Sequence, residues 1–232
     1  MVGGMTPDAA YLADPALAPA CHLRRAGQWD TALRLLPPDA APLRAEILVE
    51  RQLWRLDPPG EAIAAIQPLG ESALATLLIS QLEYWRQLFK LDGEPIAGDP
   101  VAGFADAATD PGLAAWATFH HAISTLTLRE NPAAADEGFA RARELAPDDA
   151  FLESYVVRHQ GDLMIHWRDD RDAGIALLRR SLYLRAALGA RPQVAAAATT
   201  LAGELPAGSE ADGLRAVAVQ TALELNIPWL QG

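Results

Sequence analysis

The dipeptide Asn131-Pro132 constrains this chain more than any other feature, because of what flanks it. Before it runs LAAWATFHHAISTLTLRE and after it AAADEGFARARELAPDD, both with helical spacing of apolar residues. Residues four and seven apart on an α-helix share a face. Ala135, Phe139 and Ala142 therefore form one stripe, in which two small residues admit a neighbouring helix and Phe139 fills the gap between them. Proline suits the first turn of a helix and drives the residue before it out of the α region. Pro147 stops the second helix. Residues 113–149 thus read as an antiparallel helix hairpin around a tight turn.

The order small–x3–aromatic–x2–small–x4–Pro, carried by Ala135, Phe139, Ala142 and Pro147, resembles the second helix of a tetratricopeptide (TPR) repeat, whose period is about 34 residues. The resemblance implies a stack of helix pairs with a concave groove. Elsewhere the chain gives the same alternation of helix and breaker. Residues 42–56 form an amphipathic stretch ended by Asp57-Pro58-Pro59-Gly60, and Asp30 is placed to cap the short helix before it. Ser72 caps a long helix that stops at Asp92-Gly93, and residues 150–168 form another. The fold expected is all-α: a right-handed α-solenoid of about five TPR-like helix pairs, about ten helices, in one domain over residues 11–232. Residues 1–10 are expected to be frayed.

Residues 174–229 resemble the C-terminal TPR arrays of bacterial signal-transducing ATPase-type transcriptional activators. There a helix ending in a Leu-Arg-x-x-Leu-Gly turn precedes an alanine-rich helix, as in LRAALG followed by PQVAAAATTLAGEL here. That likeness implies a sensor or scaffold module. The nucleotide- and DNA-binding parts of that family have no counterpart, since neither a GxxxxGK[ST] loop nor a basic helix-turn-helix occurs.

Charge narrows the partners. A net charge of −11 with a single lysine, Lys90, repels a phosphate backbone and leaves no polybasic patch for a membrane. Cys21 is the only cysteine, which excludes an internal disulfide and a cysteine zinc site. The opening MVGGMTPDAAYLADP lacks a basic region followed by an apolar core, so no signal peptide is expected. No apolar run reaches the ~18 residues of a membrane span. The compartment expected is the cytoplasm.

TPR register, counted from Trp116, puts His120, Ser124 and Thr127 on the concave face. The same register in the next helix selects Arg158 and Asp162, and in the preceding one Trp85 and Phe89. These seven are the expected groove. TPR domains that grip a chaperone's C-terminal carboxylate use lysines and asparagines at such positions. Here they hold His120, Ser124, Phe151 and Tyr155, so that mode of binding is not expected. His159, Asp162 and His166 share a helix face at spacings of three and four, and two imidazoles with a carboxylate are a conceivable zinc or iron set or an acid–base pair. Histidines on a packing edge that bond a backbone carbonyl are far commoner, and no cofactor is expected. The paired carboxylates Asp136-Glu137, Asp148-Asp149 and Asp169-Asp170 fall at helix starts and turns, where they cap backbone N–H groups.

The function expected first is a protein–protein interaction or scaffold module that takes a partner's peptide or helix in the groove. The alternatives are a small-ligand-sensing regulatory module, or an enzyme or metal protein using the groove histidines. An open groove favours the first; a closed pocket of roughly 300–1,000 Å³ favours the others. The apolar tail with Trp229 and Leu230 either folds back on the last repeat or enters a second copy, making a homodimer there or through the terminal repeat.

Overall fold

The computed structural model describes residues 7–231, and among these there are thirteen α-helices, two 3-10 turns and no strand. Helix α1 (Pro7–Ala13) leads in. The other twelve pack as six adjacent hairpins. They are α2 (Ala18–Arg25) with α3 (Trp29–Leu35), α4 (Ala41–Arg55) with α5 (Gly60–Ile66), and α6 (Ala73–Leu88) with α7 (Pro100–Ala107). Next come α8 (Ala114–Arg129) with α9 (Pro132–Leu145), α10 (Ala150–Trp167) with α11 (Arg171–Ala187), and α12 (Arg191–Glu204) with α13 (Ser209–Leu225).

The periodicity counted about ten helices. The segments read as short helices are helices here, α3, α5 and α7 of seven or eight residues each, and α1 adds one where fraying was expected. Of the expected frayed segment 1–10, residues 1–6 lie outside the described residues. Residues 7–10 belong instead to α1, which is pinned by Asp8 to Arg25 and by the Tyr11 hydroxyl to Glu46 at 2.8 Å.

Local signals set most boundaries. Ser72, Asp99, Asn131, Asp149 and Asp170 each accept a backbone N–H from the first turn of the helix they precede, satisfying donors the helix cannot pair itself. Asp30 does not cap. Helix α3 starts one residue earlier, at Trp29, and the Asp30 carboxylate instead takes Arg51 at 2.9 Å and Arg55 at 2.8 Å from α4.

Ala135, Phe139 and Ala142 are all fully buried, in one core with Phe104, Phe119 and Leu152. The α10–α11 hairpin is closest at Gly161 and Gly174: a Cβ on Gly174 would lie 2.8 Å from the Gly161 carbonyl oxygen. Ser181 uses that approach to donate to the Ser154 carbonyl at 2.6 Å.

The ends of the row meet. One core cluster joins Cys21, Trp29, Leu43 and Ile47 to Ala195, Ala222, Leu225 and Ile227. Gly27 turns at φ +76°, and any side chain there would strike Leu225. The tail crosses to α4 rather than stopping on its own hairpin: Trp229 donates from Nε1 to the Trp54 carbonyl at 3.0 Å, and Leu230 is buried. The hairpins therefore curve back on themselves around an interior space.

Candidate functional site: an interior cavity

That space is a cavity of about 580 Å³, to which α2, α4, α6, α8, α10 and α12 all contribute side chains, together with the tail. On each inner helix the lining residues follow helical spacing, as with Trp116, His120, Ile123 and Thr127 on α8, or Glu46, Val49, Glu50 and Leu53 on α4. Much of the wall is aromatic. Trp54 stacks on Trp229, which tilts against Phe89, which in turn meets Trp85. A second group, Trp116, Phe119, Phe151 and Tyr155, packs ring to ring opposite.

The polar lining forms a connected network. Arg24 holds both Glu46, at 2.9 Å, and Glu50. Glu50 accepts weakly from the Gln193 amide at 3.4 Å. Arg185, reaching in from α11, donates to the Gln193 carbonyl at 3.0 Å and lies 4.7 Å over the Tyr155 ring. Arg158 pairs with Asp162 at 2.6 Å and also meets His159 Nδ1 at 2.8 Å.

Burial is the first cause of the shifts at His120, His159, Glu46, Asp162, Tyr155 and Arg185. It pushes His120 down to about 3. It also pushes His159 well below the usual histidine range, helped by the neighbouring cations Arg158 and Arg185. Both imidazoles are neutral at neutral pH. As placed, Gln81 Nε2 donates to His120 Nε2 at 2.8 Å, so the His120 proton sits on Nδ1, a buried atom without a protein partner. Burial raises the carboxyls of Glu46 and Asp162 against the pull of Arg24 and Arg158, and lifts the Tyr155 phenol to about 12. Arg185 is lowered to about 10, again by burial first and then by Arg158.

Six of the seven expected groove residues lie on this wall: Trp85, Phe89, His120, Thr127, Arg158 and Asp162. Ser124 does not. Ile123 takes that slot, and Ser124, about 100° further round the helix, is fully buried with its hydroxyl donating to the His121 carbonyl at 3.0 Å. His159, Asp162 and His166 do not assemble as a ligand set. Asp162 is held by Arg158, His159 Nδ1 accepts from the same guanidinium, and His166, 56% exposed on its side chain, faces Glu204 at 3.6 Å. Among the described residues no three His, Cys, Asp or Glu side chains converge as a metal would require.

Sequence reasoning passed over Arg24, Glu50, Arg185, Gln193 and Trp229 as lining residues. A signal existed on α12, where Gln193, Thr199 and Thr200 stand at helical spacing in an otherwise alanine-rich run. No protein-family model, curated protein or solved structure matches the chain.

Proposed function

We propose that the chain is a ligand-sensing regulatory module whose interior cavity holds one small, largely apolar molecule. The cavity itself carries this reading. Its volume of about 580 Å³ falls within the roughly 300–1,000 Å³ of small-molecule sites, and its wall has their character: mostly aromatic and aliphatic with a few fixed polar groups. A space of that size suits a small molecule. His120 and His159 support binding over acid–base work, because burial keeps both imidazoles neutral.

We read the six hairpins as degenerate TPR-like units of a right-handed solenoid. The buried Ala135–Phe139–Ala142 stripe supports that reading. The compartment proposed is the cytoplasm. Among the described residues no helix is long and apolar enough to cross a membrane.

A protein partner is the second reading, supported by large apolar side chains on the outer helices: Tyr183 is 66% exposed, Leu223 59% and Val217 53%. Such a partner would dock on the outside of the last two hairpins.

Four of the six tryptophans, Trp54, Trp85, Trp116 and Trp229, line the cavity, so intrinsic fluorescence reports occupancy. Titration with 1-anilinonaphthalene-8-sulfonate is expected to saturate at one dye per chain with quenching of tryptophan emission. Dye that neither saturates nor quenches would contradict the cavity as a binding site.

A further inference from the structure

Resting on the reading of the cavity as a ligand site, we infer that its ligand is an amphipathic monocarboxylate. Its single anionic group pairs with Arg185 and its apolar body lies against the aromatic wall. The argument starts from a cation without an anion. Arg185 is only 3% exposed, yet no carboxylate of the described residues lies within ion-pairing distance of it. Its protein partners are one carbonyl, that of Gln193, and the face of Tyr155. Its Nε is buried with no partner. A guanidinium presents five donors in a planar fork suited to a carboxylate, and an unpaired buried charge is costly.

The other arginines at this site differ. Arg24 is shared between Glu46 and Glu50 and Arg158 has Asp162, while the remaining wall carboxylate, Asp8, is held by Arg25 from outside the lining. Each carboxylate on the wall is thus already matched, and among the described residues of the wall Arg185 alone offers a vacant charge. Those same four carboxylates limit what can enter. A multiply charged anion such as a phosphate monoester would gain one cation and face the field of four nearby anions, in a site where screening is weak. One negative charge on a long apolar body satisfies both the guanidinium and the rings.

Calorimetric titration of the full chain with decanoate and with decan-1-ol separates the two levels of the argument. The ligands share a chain length and differ in the charged group. Decanoate is expected to bind one per chain, roughly 10- to 100-fold more tightly than the alcohol, the span of a charge-assisted hydrogen bond. Arg185→Met is expected to abolish that preference, with decan-1-ol still binding one per chain. Its melting midpoint should be no lower than that of wild type, because an apolar side chain replaces an unpaired cation. Arg185→Lys should keep the preference in weakened form.

Equal affinity for acid and alcohol in wild type would overturn the inference about the charged group, whether or not the variants fold, and leave the cavity as an apolar ligand site. A loss of both ligands in a folded Arg185→Met would overturn it too, by giving Arg185 a purely structural role. Saturable binding of neither ligand would remove the cavity reading and this inference together.

Discussion

Trp229 and Trp54 stand 175 residues apart, yet the indole of the first donates to the carbonyl of the second at 3.0 Å and their rings stack at 5.3 Å, 19° from parallel. That pair fastens the end of the chain to its beginning and forms part of the cavity wall. Trp229→Ala removes the stack, the hydrogen bond and the contact with Phe89. The expected cost is about 3 kcal/mol, seen as a lower urea midpoint. Faster amide exchange should appear in α4 and α12 together, because both lose the same fastening. A variant as stable as wild type would mean the tail only lies on a ring closed by other contacts.

Two glycines on the helices separate close approach from mere permissiveness. Gly174 sits where a methyl group would meet the Gly161 carbonyl oxygen and Ile165, whereas a methyl on Gly213 in α13 would meet nothing. Gly174→Ala is expected to destabilise by roughly 1–3 kcal/mol through overpacking. Gly213→Ala is expected to stabilise by about 0.5–1 kcal/mol through helix propensity. Chemical denaturation of both variants checks the contrast, and equal signs would contradict the packing described for the α10–α11 hairpin.

The pH dependence of stability follows from His120. Its folded pKa is depressed to about 3, so between about 3 and the unfolded value of 6.5 the unfolded chain binds a proton that the folded chain does not. Stability is then complete above 6.5 and falls as pH drops through that window. His159, lowered in the same direction by burial and by Arg158 and Arg185, adds to it, while Glu46 and Asp162, raised by burial, act in the opposite sense. In His120→Phe the slope of stability against pH between 4 and 6 should be smaller by about one proton, roughly 1.4 kcal/mol per pH unit. An unchanged slope would mean that His120 is protonated in the folded state.

What the sequence revealed was whatever is local. The Asn131-Pro132 turn, the Ala135–Phe139–Ala142 stripe and the caps at Ser72 and Asp149 are set within one or two helical turns, and they stand where the pattern puts them. Register within α8 was legible to one residue: Thr127 and His120 face the cavity, while Ser124 lost its place to Ile123. Closure was not legible. It depends on Gln193 meeting Glu50 and Trp229 meeting Trp54 across most of the chain, and no periodicity encodes a contact of that range. Arg185 was hidden for a related reason. It belongs to an outer helix, and it enters the cavity only because α12 supplies a carbonyl for it at Gln193.

The central claim is that a small molecule occupies the interior of this ring of hairpins, and filling that interior tests it most directly. Ala196 lies on the cavity wall in α12, and Ala196→Trp directs a large ring into the space. The measurement is the dye titration run side by side on wild type and Ala196→Trp, with a thermal melt of each. The result expected is one saturable site in wild type and none in the variant, with both cooperatively folded. Saturable dye binding of equal affinity in the two proteins would put the ligand somewhere other than the cavity and contradict the claim.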